Sequence, residues 1–226
     1  MNALPSPQLG THLDNESFRV SVSLRLGGNI CQNHRCRCGE EIDTKGLHGL
    51  KCKKSSGRFS RHAAVNDLIH RALKSGDVPS ILEPVGCNRE DGKRPDGMSL
   101  IPWKNGRCIL WDFTCVDTFA PSYVSSTSII PGSAADEAEK KKEKKYATLT
   151  SRFIFMPVGI ETSGVFGKRG LQFLKKIGHK IIEKTGEKRA TNFLLQSVSI
   201  AVQRGNVSSI LGSIPSGSQL NQIFYL

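Results

Sequence analysis

Residues 94–97 read Arg-Pro-Asp-Gly and residues 107–116 read Arg-Cys-Ile-Leu-Trp-Asp-Phe-Thr-Cys-Val, and together they predict the centre of the fold. The second stretch is continuously apolar over residues 109–111, which is typical of a strand covered on both faces. Asn105-Gly106 lies between the two stretches and predicts a hairpin turn. Asp96 lies nine residues before Asn105 and Asp112 six residues after Gly106, so the two aspartates can pair only across a bulge or a longer loop.

Asp96 and Asp112 are candidate ligands of a divalent metal ion. Mg²⁺ prefers oxygen ligands and is usually held by one or two carboxylates together with water and substrate phosphate, and Mn²⁺ suits the same donors. Asp112 follows a strongly apolar run, and an unpaired buried carboxylate is unfavourable by several kcal/mol. Its partner is therefore either a metal ion shared with Asp96 or a basic side chain.

Outward from these stretches, hydrophobic periodicity and turn residues predict an α/β fold with a mixed four-stranded sheet flanked by helices. Helices are predicted from Ser60 to Gly76 and over residues 134–150, 171–184 and 191–210. Strands are predicted over residues 81–85, 97–102, 107–116 and 152–160. Residues 18–26 predict a short helix or strand, residues 120–133 a loop, and residues 215–226 a flexible tail.

The helix predicted over residues 134–150 contains five lysines, and most of them are typical of a solvated face shared with Glu137, Glu139 and Glu143. Lys142 is the exception. Four apolar residues fall within about 40° of it at the helical spacing of 100° per residue: Ala135, Ala138, Tyr146 and Leu149. Lys142 is therefore expected to point at the sheet, as a catalytic cation or as a side chain that extends past the apolar stripe to water. Lys145, about 60° away, is the alternative.

Residues 31–58 predict a small zinc knuckle that precedes the sheet. Cys36, Cys38, His48 and Cys52 supply the four ligands that a tetrahedral structural Zn²⁺ prefers. Only one residue separates the first two cysteines, which is tight for chelation, so Cys31 or His34 is an alternative to Cys36. Few large apolar residues occur in this segment, so the metal is expected to supply its core.

The charge of the chain indicates a polyanionic partner. The net charge is +12 and the sequence pI is about 9.5, and DNA is the leading candidate. Basic residues without acidic neighbours follow the knuckle: Lys51, Lys53, Lys54, Arg58 and Arg61. Residues 165–189 carry eight basic and two acidic side chains. Aromatic residues make up 7% of the chain, so base stacking is not indicated, and no membrane-spanning stretch or secretion signal is predicted.

Six strings carry a resemblance to a known family: CRCG, HGLKC, RHAAVND, RPDG, WDFTCVDT and KKKEKKY. Over about residues 24–211 the chain resembles the restriction-like endonuclease region that lies downstream of the reverse transcriptase in non-LTR retrotransposons, a branch of the PD-(D/E)xK nucleases. The resemblance implies a restriction-endonuclease-like core in which Asp96 and Asp112 bind the catalytic Mg²⁺ or Mn²⁺. It also implies a CCHC zinc element at residues 31–58.

Thr114 departs from the superfamily pattern, which has lysine at this position, and the retrotransposon branch implies a lysine from the following helix, which is Lys142. Arg61-His62 resembles the Arg-His motif of the branch and is expected either to contact DNA or to be structural, and Arg94 is a further expected nucleic-acid contact. The resemblance implies a nuclear endonuclease that nicks target DNA to prime reverse transcription, with element RNA as a second partner and a reverse transcriptase domain upstream. The competing hypothesis is a non-catalytic nucleic-acid-binding module or an inactive remnant.

The resemblance also divides the chain. Residues 1–30 are predicted to be the tail of a preceding domain, residues 31–58 the knuckle, residues 59–190 the endonuclease core, and residues 191–226 a C-terminal helix with the tail.

Overall fold

The computed structural model describes residues 4–87, 92–215 and 217–225. The chain forms two compact units. The knuckle unit comprises Met1–Ala63, Thr162–Gly164 and Ser199–Leu226, and the sheet unit comprises Ala64–Glu161 and Val165–Val198. The units differ in their bounds from the four predicted ranges, because the helices Gly57–Ser75 and Ala190–Leu211 are each divided between the two units. Residues 216 and 226 of the predicted tail lie outside the described residues.

Helices and strands follow one another in an order that matches the predicted one. The helices are α1 (Asn15–Leu26), α2 (His48–Lys51), α3 (Gly57–Ser75), α4 (Val124–Thr127), α5 (Ser133–Lys145), α6 (Lys168–Thr185), α7 (Ala190–Leu211) and α8 (Leu220–Ile223). The strands are β1 (His34–Arg35), β2 (Glu41–Ile42), β3 (Ser80–Leu82), β4 (Gly97–Ser99), β5 (Ile109–Val116) and β6 (Ile154–Glu161). Within the described residues, no helix combines the length and the apolar character that crossing a membrane requires.

The sheet unit contains a mixed four-stranded sheet, as predicted, and its strand order is β3-β4-β5-β6. The first two pairings are antiparallel, whereas β5 and β6 run parallel over their whole length. Since parallel neighbours need a crossover, α5 makes the connection. Ile109, Leu110 and Trp111 are completely buried, which confirms that this run belongs to a strand covered on both faces.

The Asn105-Gly106 turn joins β4 to β5 as the sequence predicts. Both residues have positive φ, 51° and 71°, the conformation that a tight type I′ hairpin needs. Lys104 and Arg107 pair beside the turn, but Gly97 pairs with Trp111 farther along. Gly97 is eight residues before Asn105 and Trp111 five residues after Gly106, so the first arm carries three extra residues. The longer loop that the aspartate spacing required is therefore present.

Several predicted elements have different limits. Helix α3 begins at Gly57 rather than at Ser60, whose hydroxyl donates to the Gly57 carbonyl instead of capping the helix. Strand β3 ends at Leu82 because Glu83 turns the chain with φ of 49°. Residues 18–26 belong to a helix, not a strand.

Two stretches predicted without secondary structure contain short helices. The loop over residues 120–133 includes α4, and the C-terminal stretch includes α8. Phe224 in the predicted tail forms a β-bridge with Cys31 and is 3% exposed. The tail is held by contacts with residues almost two hundred positions away, which no local pattern could predict.

The knuckle unit has an apolar core of its own. Val20, Ile42, Leu50 and Ile210 are each buried around Cys36 and Cys52. Gly49 and Gly57 allow α7 to approach, since a Cβ at either position would lie within 3 Å of the backbone at residues 208–210. The expectation that metal alone supplies this core therefore needs correction, because distant apolar residues of α1 and α7 contribute to it.

Candidate active site and metal centre

Asp96 lies against the segment of β5 that contains Asp112. The backbone N–H of Asp96 donates to the Trp111 carbonyl at 3.0 Å, and the Phe113 N–H donates to Asp96 Oδ2 at 2.6 Å. Asp96 thus contacts the residues on both sides of Asp112. The same three-residue offset that sets the β4–β5 pairing brings the two aspartates together.

Gly97 explains why this approach is possible. A Cβ on Gly97 would lie 2.0 Å from the indole ring of Trp111, so only glycine lets β4 pair with β5 here. The indole N–H in turn donates to Asn66 Oδ1 of α3 at 3.0 Å, which satisfies the only polar atom of a ring that is completely buried. Asp96 is therefore positioned by the close contact between its neighbouring glycine and Trp111.

Asp112 is 3% exposed and forms an ion pair with Lys142. The Lys142 side chain is 23% exposed, so its ammonium group lies at the boundary between the sheet and water. Burial of the Asp112 carboxylate is tolerated because its charge is paired and hydrogen-bonded. The structure therefore brings Asp96, Asp112 and Lys142 into one constellation.

Helix α5 directs Lys142 toward β5 because its apolar stripe packs on the sheet. Ala135, Ala138 and Tyr146 are buried, as the helical periodicity predicts. The Tyr146 hydroxyl donates to the Arg94 carbonyl at 3.0 Å, which ties the end of α5 to the Arg-Pro-Asp-Gly stretch. Lys145 Nζ lies 4.9 Å from the centroid of the Tyr146 ring, and the ion pair with Asp112 is made by Lys142.

Glu139 was assigned to the solvated face, and that prediction is wrong, since it is 2% exposed. Its carboxylate accepts three backbone N–H bonds of 2.8–3.0 Å, from Gly159, Arg169 and Gly170. Burial raises the pKa of Glu139, and the three N–H donors oppose that rise. The helical projection that selected Lys142 contains a signal for this role, because Glu139 lies about 60° from Lys142 and about 40° from Ala135.

Glu161 is a second buried carboxylate that the sequence did not single out. It ends β6, is 1% exposed, and its Oε1 accepts the Ala134 N–H at 3.1 Å. Ala134 lies in the first turn of α5, where backbone N–H groups lack partners within the helix and a carboxylate is favourable. Glu161 therefore fixes the start of the helix that carries Lys142.

Four side chains of the knuckle unit lie close enough together to hold a metal ion. The ligand atoms of Cys36, Cys38, His48 and Cys52 all lie within 4.8 Å of one another. The Cys36 and Cys52 sulfurs are 3.6 Å apart, and Cys38 Sγ is 3.2 Å from His48 Nε2. Zinc bonds of about 2.3 Å to sulfur and about 2.0 Å to nitrogen place tetrahedral ligands roughly 3.5 to 3.8 Å apart. The predicted set of four can therefore hold zinc.

The alternatives to Cys36 are engaged elsewhere. Cys31 Sγ contacts the Asp43 carbonyl at 3.4 Å, and burial raises the pKa of its thiol to about 11. The two ring nitrogens of His34 contact the Gln32 carbonyl and the Ser213 hydroxyl at 2.9 and 3.2 Å. Burial also raises the pKa of Cys36 to about 11, but a bound metal ion deprotonates a coordinating thiol.

Within residues 4–87, 92–215 and 217–225, this cluster is the one grouping of three or more cysteine, histidine or acidic side chains that could hold a metal ion. Asp96 and Asp112 would thus bind a cation as a pair, with the remaining positions left to water and substrate, a number of carboxylates that is usual for Mg²⁺. Each carboxylate has about four lone-pair positions, so the bonds from Phe113 and Lys142 do not exhaust them.

The predicted nucleic-acid contacts divide into exposed and buried side chains. Lys53, Lys54, Arg58 and His62 are exposed on the knuckle unit. Arg61 is 4% exposed and donates to Asn206 Oδ1 at 2.5 Å, which argues for the structural alternative and against contact with DNA. Phe59, missed in the sequence, is 76% exposed within this basic run.

Arg94 lies at the surface of the sheet unit and forms an ion pair with Glu83. Its side chain is 43% exposed, so it remains accessible to a phosphate. A phosphate group at this position would compete with Glu83 for the guanidinium.

No family model matches the chain, and a search of curated proteins finds no match to it.

Proposed function

We propose that the sheet unit is a restriction-endonuclease-like domain that cleaves one strand of DNA with Mg²⁺ or Mn²⁺ held by Asp96 and Asp112. One observation carries the proposal: Lys142 forms an ion pair with a buried Asp112, while Asp96 bonds to the residues on both sides of Asp112. Two carboxylates that can share a metal ion, with a cation beside them, are a set suited to metal-assisted phosphodiester hydrolysis.

The topology of the sheet supports the restriction-like fold. Helix α3, three antiparallel strands, the crossover helix α5, the parallel strand β6 and helix α6 follow one another in the chain. This order agrees with the one implied by the resemblance of the sequence to retrotransposon endonucleases. Thr114 stands where most of the superfamily has lysine, and Lys142 of the following helix supplies the cation instead.

Each side chain has a distinct part in the proposed reaction. A divalent cation, when bound, supplies Lewis-acid polarisation of a phosphoryl oxygen and a more acidic water. Asp96 and Asp112 provide its oxygen ligands, and the sheet holds them at fixed positions. The Lys142 ammonium, only partly desolvated, stabilises negative charge that develops on the phosphate or orients the attacking water. Because the ammonium pairs with Asp112 in the absence of substrate, it is kept near the reacting atoms.

The knuckle unit supports binding of a polyanion. Zinc at Cys36, Cys38, His48 and Cys52 would rigidify the segment that precedes the exposed Lys53, Lys54 and Arg58. Such lysines and arginines bind phosphates with little dependence on sequence. We infer that the nick exposes a 3′ hydroxyl for target-primed reverse transcription in the nucleus, with a reverse transcriptase domain and element RNA as partners.

The first prediction is that the purified chain nicks supercoiled DNA when Mg²⁺ or Mn²⁺ is added. Asp96→Asn and Asp112→Asn remove negative charge from the metal site, and Lys142→Met removes the cation. Each is expected to lower the nicking rate by about 100-fold or more, the usual loss for a group that stabilises a transition state. The rate is measured as conversion of supercoiled to open-circular DNA.

Lys144→Met is the matched control, since Lys144 is exposed on the same helix and is expected to keep the wild-type rate. Nicking at the wild-type rate by all three site variants would refute the proposed active site. DNA binding by a folded wild-type chain without nicking in either metal would favour the competing binding-module hypothesis.

A further inference from the structure

The second half of α6 and the hairpin between β4 and β5 enclose a basic groove of about 470 Å³. No residue of this groove belongs to the aspartate–lysine constellation or to the zinc cluster. Its lining includes four lysines: Lys104, Lys175, Lys176 and Lys180. Glu183 is the one acidic residue in the lining, so the groove attracts anions.

Trp103 gives the groove an aromatic wall. Its ring makes an edge contact with Phe173, with centroids 6.1 Å apart, and Phe173 is 1% exposed, so the indole is anchored in the core on one side. Lys180 Nζ lies 4.8 Å from the centroid of the indole. A flexible cation thus lies over the ring, which is itself partly exposed, and an incoming aromatic group can displace the ammonium from it.

Helical spacing concentrates the positive charge on one side of α6. Lys175, Lys176, His179 and Lys180 recur within two turns, and Phe173 and Ile177 of the same helix are buried in the core. Lys175, Lys176 and His179 are exposed, so their polar groups are free to reach successive phosphates. Lysines along a groove with an aromatic ring at its wall are the combination that binds unpaired nucleotides.

We propose that this groove binds a single-stranded nucleic-acid segment, with a base stacked on Trp103 and the adjacent phosphates bound by the α6 lysines. A duplex cannot make the same contact because its bases are already stacked on one another, whereas a polyphosphate can use the lysines but not the ring. The groove volume of about 470 Å³ lies within the range of small-molecule sites, which is sufficient for a single base.

The chain provides its own optical probe of this site. It has two tryptophans, and Trp111 is completely buried, so quenching of tryptophan emission by a ligand reports on Trp103. The full chain is titrated with an oligothymidylate of about ten nucleotides, its RNA counterpart, a duplex of equal length, and inorganic polyphosphate. Both single strands are expected to quench the emission. The ratio of their affinities shows whether the groove prefers single-stranded DNA or single-stranded RNA.

Variants separate stacking from charge. Trp103→Ala is expected to weaken oligothymidylate binding by about tenfold and to leave polyphosphate binding unchanged. Replacing Lys175 and Lys176 with alanine is expected to weaken the binding of both ligands and to lower the salt dependence of their affinities. Quenching of tryptophan emission at saturation is expected to persist. Replacing the exposed Lys140 and Lys144 of α5 is the matched control and is expected to change the oligothymidylate affinity less than twofold.

The proposal is refuted if single strands bind without quenching tryptophan emission, or if Trp103→Ala leaves their affinity unchanged. The proposal is also refuted if a folded Trp103→Ala chain loses the same fraction of its affinity for oligothymidylate and for polyphosphate. If that variant does not fold, the wild type and the lysine double variant decide. Bound single strands must quench the tryptophan emission of both at saturation, and loss of this quenching refutes the proposal. Binding is measured without added Mg²⁺ and repeated in Asp112→Asn, so a failure of the proposed nuclease reaction leaves the result unaffected.

Discussion

At the scale of single residues, Lys142 differs from its four neighbouring lysines only in its angle on the helix. The apolar residues around it bury one side of α5, so its ammonium meets the carboxylate of Asp112 at the boundary between the sheet and water. Pairing keeps the charge of Asp112 inside the sheet, where a lone carboxylate is unfavourable. The same contact therefore contributes to folding and to the proposed catalysis.

Loss of the Lys142 ammonium is expected to destabilise the sheet unit. Lys142→Met leaves Asp112 buried without its cation, and we expect a loss of about 2 to 3 kcal/mol in the free energy of unfolding. This is somewhat below the roughly 3 to 5 kcal/mol for a fully buried pair, since Lys142 retains some water. The measurement is denaturant unfolding followed by circular dichroism.

A double variant tests the cause of that loss. Lys142→Met combined with Asp112→Leu removes both charges and is expected to recover most of the stability, because an apolar pair of similar size has no desolvation penalty. Lys144→Met is expected to stay within about 0.5 kcal/mol of the wild type. A stable Lys142→Met single variant would contradict the proposed pairing.

At the scale of elements, acidic residues hold α5 between the sheet and α6. Glu161 of β6 accepts an N–H at the start of α5, and Glu139 of α5 accepts N–H groups from β6 and from the start of α6. Asp136 accepts the Lys168 N–H at 2.8 Å. The first turn of α6 is thus capped by side chains of α5, since its own N-cap is Gly167 without a side-chain bond.

Glycines make this arrangement possible. A Cβ at Gly167 would lie 2.4 Å from a Glu139 carboxylate oxygen, and a Cβ at Gly170 would lie 2.9 Å from the same atom. A Cβ at Gly159 would lie 2.7 Å from the Ala135 carbonyl oxygen. The small residues of β6 and α6 therefore allow the carboxylate to approach the backbone closely enough to accept three bonds.

Removal of the Glu139 carboxylate is expected to disturb α5 and α6 together. Glu139→Ala leaves three buried N–H groups without an acceptor, at about 1 to 3 kcal/mol for each unsatisfied group, so we expect a total loss of at least 3 kcal/mol. Glu139→Gln retains one acceptor oxygen and should lose roughly half as much. Denaturant unfolding gives both values, and Glu137→Gln, exposed on the same helix, is expected to be neutral.

At the scale of the whole molecule, the candidate zinc ligands of the knuckle unit lie beside its apolar core. Cys36 and Cys52 belong to its apolar core, and the other two ligands, Cys38 and His48, are only partly buried. A zinc ion would join strand, turn and helix segments that share few backbone hydrogen bonds. Such a cross-link would add to an apolar core that is drawn from both ends of the chain.

Zinc analysis is expected to find one equivalent per chain. Cys38→Ser removes a ligand and should abolish stoichiometric zinc, whereas Cys31→Ser should retain it, because Cys31 contacts backbone carbonyls instead of the cluster. A zinc chelator is expected to lower the unfolding temperature of the wild type, since binding to the folded state stabilises it. Zinc retained by Cys38→Ser and lost by Cys31→Ser would reverse the assignment.

The sequence by itself determined the features that depend on local order. Strand periodicity and the Asn105-Gly106 turn predicted the hairpin, and the spacing of Asp96 and Asp112 called for a bulge or a longer loop. Helical spacing selected Lys142, with Lys145 as the alternative. The sequence also identified the four side chains that converge as a possible zinc site. Each depends on residues that are neighbours in the chain or on a repeat of fixed period.

Only the tertiary structure determined which polar residues are buried. The helical angle of Glu139 places it near the apolar stripe, but its role as an acceptor depends on the backbone N–H groups that β6 and α6 bring to it. Arg61 is basic like the residues before it, yet Asn206 removes it from the surface, and Phe224 finds its partner in Cys31 at the other end of the chain. The physical reason is that burial of a polar group depends on partners supplied by distant segments, which leave no periodic signal in the local sequence.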